Sequence, residues 1–168
     1  MPGLTMQVLL QDIRTLETDA LVVGLFEDVR PLKSFAGQLD WLLCGALSRL
    51  LLEKRLQGRL GDVALLTSLG KVPAGKIFMV GCGPRASFSL ESLRIAAGTV
   101  AASVTGAGVV KAAVEYLQPD LTACVDCMAA LRDGFSEGAE GRQLAVTLLA
   151  PDKAMYGQLS RCMQFTHR

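Results

Sequence analysis

The sequence predicts a three-layer α/β/α fold around a six-stranded mixed sheet with one antiparallel strand. Three observations carry this. Short apolar runs of strand length alternate with longer segments of helical period. The run ALVVGLF at 20–26 is almost wholly apolar, the pattern of a strand covered on both faces by helices. Finally, the link at 67–75 is too short for a crossover helix, so the two strands it joins must pair antiparallel.

The elements follow in chain order. A first strand spans 4–10 and a second 20–26. Apolar residues at 39, 42, 43, 46, 47, 50 and 51 recur at steps of three and four, predicting one long helix that stops near Gly58. Trp41, early in that helix, is assigned to core or interface packing. Strands at 62–66 and 76–80 form the hairpin. Ser89 caps the next helix, with Glu91 in its first turn, and the helix ends near Gly106 or Gly108. A strand at 109–116 leads to a helix opened by Asp120 or Thr122, with Gly134 near its end. The segment GFSEGAEG at 134–141 reads as a loop. A strand at 144–149 and a helix opened by Pro151 and Asp152, running toward Gln164, complete the series. No linker or internal repeat divides the chain, so residues 1–168 form one domain.

Composition narrows the functional classes. Lys+Arg total 17 against 16 Asp+Glu, a net charge of +1, which lacks the basic surplus of a nucleic-acid binder. Hydrophobic residues are 51% and aromatics 5%, so the core is aliphatic. The chain has no signal peptide and no apolar run long enough to span a membrane. Five scattered cysteines suit a reducing cytoplasm rather than a disulfide framework. The single histidine, His167, is a solvated tail residue, which leaves no His-based metal site or buried triad. No cofactor is expected.

Three motifs bear on chemistry. Gly70-x-x-x-x-Gly75-Lys76 has most of a phosphate-binding loop, but Ile77 replaces the required Ser/Thr and opens a strand rather than a helix. A β-turn with both glycines at positive φ is the simpler account. Gly81-Cys82-Gly83-Pro84-Arg85-Ala86 follows a strand and precedes a helix. Its helix begins too late for a dinucleotide fingerprint, and the next strand-end acid, Glu115, lies too far on. The place still suits an anion, because backbone amides at strand ends bind anions. The candidate ligand-binding residues are therefore Gly24, Gly81, Gly83, Arg85 and Ser87, with a tight structural turn as the rival reading. Cys124-Val125-Asp126-Cys127 lies a turn deeper in its helix than a thioredoxin-type redox pair and lacks a second ligand pair for zinc, and buried small residues are its default reading.

Several stretches resemble the N-terminal domain of leucine (cytosol) aminopeptidases: TDALVVGLFE at 18–27, LDWLLCGALSRLL from Leu39, LQGRLGDVALL, AGKIFMVGCGP and SLESLRIAAGTVA. The most specific pieces are Gly58-x-x-Gly61 before a strand, V-G-x-G after the fourth strand and L-R-x-A-A-G. The helix CMAALRDGF resembles the last helix of that domain, with its Leu-Gly-x-Tyr-x-Phe ending degraded to Arg132-Asp133-Gly134-Phe135. The resemblance implies a macro-domain-like fold with a six-stranded mixed sheet. It also implies that the two-metal peptidase site lies in a C-terminal domain outside this chain. Ala139-Glu140-Gly141-Arg142 echoes the end of the family's metal motif, but Gly138 stands where the metal-binding Asp would be. No catalytic or metal-binding residue is expected here.

Two functions remain. One is a free-standing, non-catalytic module for assembly or regulation, self-associating as a dimer. The other is a macro-domain-type binder of a nucleotide or ADP-ribose-like anion. A third reading is a fragment of a metallo-aminopeptidase, although the polar QFTHR ending points to a complete protein.

Overall fold

In a computed structural model, residues 3–117 and 125–165 are described. The strands are β1 (Leu4–Leu9), β2 (Ala20–Phe26), β3 (Val63–Thr67), β4 (Lys76–Gly83), β5 (Lys111–Glu115) and β6 (Leu144–Leu149). The helices are α1 (Ser34–Leu42), α2 (Ala46–Leu52), α3 (Leu90–Gly106), α4 (Val125–Ala139) and α5 (Lys153–Phe165). Strand character follows position. β2 and β4 are almost wholly apolar and lie inside the sheet, where both faces are covered. β1 and β3 alternate in burial and lie at the two edges of the order β1-β6-β5-β2-β4-β3. Every pair is parallel except β3 with β4, the expected hairpin.

Alternation along the strands divides the core in two. Ala20, Val22, Phe78 and Val80 face α3, α4 and α5. Leu21, Val23, Ile77 and Met79 face α1 and α2, whose Leu39 and Leu47 are fully buried. The sheet is therefore a shared wall between two apolar layers.

Three expectations need correction. The long helix at 39–58 is two helices, α1 and α2, and α1 begins earlier, at Ser34. The chain turns left-handed at Cys44 (φ 55°) and Gly45 (φ 81°). Asp40 spans the break: its carboxylate accepts the Ser48 amide (3.0 Å) and the Ser48 hydroxyl. The apolar period continues across the kink because Leu39, Leu43 and Leu47 enter the same core layer. Trp41 is 81% exposed, which removes the core half of its assignment and leaves the interface half. The segment at 134–139 is helix rather than loop. Gly134 and Gly138 let α4 lie against α3. A Cβ on Gly134 would sit 2.2 Å from the Arg94 carbonyl oxygen, and one on Gly138 2.0 Å from that of Gly98. The glycines that suggested a loop are the contact surface of a helix pair.

Smaller shifts have local causes. β4 runs on to Gly83 because β2 pairs with it as far as Phe26, with a register shift after Leu25. In the hairpin link Gly70 has φ +74°, whereas Gly75 is not left-handed. Ser89 caps α3 as expected, its side chain accepting the Ser92 amide. The expected opening of α4 at Asp120 or Thr122, Cys124 and the tail residue His167 lie outside the described residues.

Candidate functional site

β2 and β5 are neighbours, yet β2 leads into α1 on one face and β5 precedes α4 on the other. Their carboxyl ends flank the crevice where open α/β sheets bind ligands. A cavity of about 140 Å³ opens there. Gly24 and Phe26 line it from β2, Cys82 from β4, and Glu115, Tyr116 and Leu117 from β5 and its extension. Val29, Leu32, Lys33, Ser34 and Arg85 close the remaining sides.

Glu115 organises the site. It ends the strand KAAVE, whose apolar residues fix the carboxyl-bearing side chain at the sheet's end. Its Oε2 accepts the Gly24 amide at 2.8 Å. Burial pushes its carboxyl up to about 7, against the hydrogen bonds from the Gly24 amide, the Ser34 side chain and the Phe35 amide, which favour the ionised form. Cys82, beside it, has its thiol pushed up to about 12, first by burial, with the Glu115 charge adding to the effect. A thiol so raised is a packing group and a poor nucleophile.

Of the sequence-predicted site residues, the structure brings Gly24 and Arg85 to the cavity; Gly81, Gly83 and Ser87 do not line it. The Gly81 amide donates to the Asp62 carbonyl (2.8 Å) and the Gly83 amide to the Gly58 carbonyl (2.9 Å). Both amides therefore serve the chain itself. The reason for glycine at 81 is proximity: a Cβ there would lie 1.9 Å from the Arg59 carbonyl oxygen. Gly83 needs glycine for its φ of +75°. Ser87 is exposed in the short turn before α3, and the Arg85 amide donates to Asp28 (2.9 Å).

Sequence reasoning missed Lys33, Ser34 and Phe35, which reach the site only because α1 begins before its apolar stripe. It noted Glu115 but not its place against Gly24. A lone acid closing an apolar strand was the available signal. Elsewhere, Cys127 is buried in the core, and Glu140 sits on the turn after α4 with Arg142 3.5 Å away. Among the described residues, no group of three His, Cys, Asp or Glu could hold a metal ion, and no helix is long and apolar enough to cross a membrane.

Residues 22–134 match the family model "Cytosol aminopeptidase family, N-terminal domain". A probable cytosol aminopeptidase of Geobacter sulfurreducens is 38% identical over 95 residues, covering 56% of this chain but 19% of that protein. The chain thus spans about a fifth of that relative's length. A tomato leucine aminopeptidase mutant superposes with a TM-score of 0.70 at 21% identity, over 96% of this chain and 35% of that one. A macrodomain of Oceanobacillus iheyensis solved with ADP gives a TM-score of 0.74 at 11% identity, over 96% and 91% of the two chains. These two structural likenesses concern the fold.

Proposed function

We propose a non-catalytic role in assembly or regulation for this chain, which belongs to the cytosol aminopeptidase family and carries that family's N-terminal domain. One observation carries the reading: among the described residues, no strand pairs with the outer edge of the apolar β3. Gly81 bonds to Asp62, so by antiparallel alternation Ala64 and Leu66 bond to β4. The backbone groups of Val63, Leu65 and Thr67 then face outward. Val63 and Leu65 are exposed, as is Leu69 beyond them, and β3 contains no proline, lysine or other charge to blunt it. Beside it a groove of about 330 Å³ lies between α2 and β3, lined by Ala46, Leu50, Ala64 and Leu65.

A homodimer through this edge is the form we assign, in a cytoplasmic setting. Light scattering at roughly 100 μM is expected to give more than a monomer's mass, and Leu65→Lys to restore the monomer. A monomer mass for the parent protein would overturn the dimer. Purified protein is expected to release no leucine from a leucyl amide with zinc, manganese or magnesium. Release abolished by Glu140→Ala would instead place a working site at 139–142 and favour the reading as part of a metallo-aminopeptidase.

The second reading is an anion binder of macrodomain type, using Gly24, Gly81, Gly83, Arg85 and Ser87. It is supported by the fold shared with a macrodomain solved with ADP and by Arg85 on the cavity wall. Against it, the Gly24 amide already holds the chain's own Glu115 carboxyl. Saturable heat with ADP-ribose, lost in Arg85→Ala, would establish it over the first reading.

A further inference from the structure

The cavity between the ends of β2 and β5 has a polarity that the assembly reading does not use. Its wall carries the half-buried Glu115 and the exposed Lys33, with Arg85 as a further cation, and apolar side chains of Phe26, Val29, Leu32 and Leu117 lie among them. We propose that this cavity is a receptor for a small apolar α-amino acid, with the ammonium on Glu115, the carboxylate toward Lys33 and the side chain against the apolar wall. The inference goes beyond the assembly role and stands independently of it.

Size favours a small ligand. At about 140 Å³ the cavity is close to the ~150 Å³ apolar cavity that takes up benzene, and well below the ~300 Å³ at which pockets for drug-sized ligands begin. A branched aliphatic side chain has that scale and a nucleotide does not. Charge selects the ligand group at Glu115. An ionised carboxylate offers about four acceptor positions and no donor, more than its three protein donors use. At Glu115 phosphate would meet a like charge, whereas an ammonium can use the acceptor positions that its three donors leave. An anionic group away from Glu115 finds Lys33, with Arg85 as a second cation on the wall.

Ammonium binding requires Glu115 in its ionised form, so binding releases the proton that burial favours at neutral pH. The other charged or titratable groups lining the cavity are Lys33 before α1, Arg85 after β4, Cys82 on β4 and Tyr116 beside Glu115. The Cys82 thiol stays protonated across the range concerned. Affinity should therefore rise from acid to mildly alkaline pH.

The test is calorimetric titration of the full chain with L-leucine, 3-methylbutylamine, 4-methylpentanoate and inorganic phosphate at pH 8 and pH 5.5. Leucine is expected to bind best and the amine less well, with no heat from 4-methylpentanoate or phosphate. Leucine binding should weaken at least roughly tenfold at pH 5.5. Glu115→Gln should abolish leucine and amine binding. Lys33→Met should bring leucine down to the amine's affinity and leave the amine unchanged. Val29→Trp, which adds bulk to the cavity wall at a residue outside the Glu115 hydrogen bonds, should abolish both and serves if Glu115→Gln does not fold. No heat from millimolar leucine, heat from 4-methylpentanoate or phosphate in preference to the amine, or full binding in both Glu115→Gln and Val29→Trp would each overturn the proposal. Light scattering is unaffected by any of these results, so failure here and failure of the dimer are separate outcomes.

Discussion

Glu115 is ionised at a cost to the fold. Its carboxyl stands near 7 in the folded protein against an ordinary 4.5. The folded state therefore binds the proton more tightly than the unfolded chain. That contribution to stability is complete below pH 4.5 and is lost as pH rises through 7. Replacing the acid with its uncharged amide removes the dependence. The wild-type melting temperature is expected to fall by roughly 5 °C between pH 5 and pH 8 on account of this residue, and the Glu115→Gln curve to be flatter by that amount. Parallel curves for the two proteins would show that the carboxyl is solvated as in water. The identity and strand-end position of Glu115 are plain from KAAVE. Its burial is not, because the donors that hold it come from β2 and the start of α1, 80 to 91 residues away in sequence.

At the scale of elements, glycine means different things in different places. In the sequence Gly134 and Gly138 look like a loop, since glycine weakens an isolated helix. In the fold they lie one turn apart on the same face of α4, and that face meets α3 backbone to backbone. Gly157, inside α5, has nothing within 4 Å of where a Cβ would stand. Gly138→Ala is therefore expected to cost roughly 3 kcal/mol or more, since the helices must separate. Gly157→Ala is expected to gain up to about 1 kcal/mol through helix propensity. Urea denaturation of the two variants measures both, and equal effects would rule out the close contact. The break between α1 and α2 was hidden for the opposite reason. The apolar stripe keeps its period through Leu43 and Leu47, and Gly45 within it reads as a tolerable helical residue. At the turn the Asp40 carboxylate accepts from Ser48 of the following helix, a polar contact that a pattern of apolar residues does not register.

For the whole molecule, the two apolar layers share the strands that divide them, with Leu21 on one face of β2 and Val22 on the other. Neither layer can lose its wall without exposing the other. The chain is expected to unfold in one cooperative transition, with equal calorimetric and van't Hoff enthalpies. Leu21→Ala, a truncation in one layer, and Leu131→Ala, in the other, should each lower that single transition, by about 2–5 kcal/mol. Two resolved transitions would show that the layers are separate units.

The α/β class, the six strands, the hairpin of β3 with β4 and the cap of α3 are legible in the order of the residues. These rest on local quantities: period, run length, a link too short for a helix and a serine before a helix. The sequence also carries the family, because VVGLF, the Gly58-x-x-Gly61 pair and V-G-x-G are contiguous. Which strand-end residues share a cavity is fixed by strand pairing and is not written in any local pattern. The glycines at 81 and 83 stand at a strand end, and their amides donate to the loop at 58–62. Gly24 and Glu115, far apart in sequence, came together because β2 and β5 pair in parallel and their ends must then coincide. A pairing register is a long-range quantity, and it fixes which charges face which cavity.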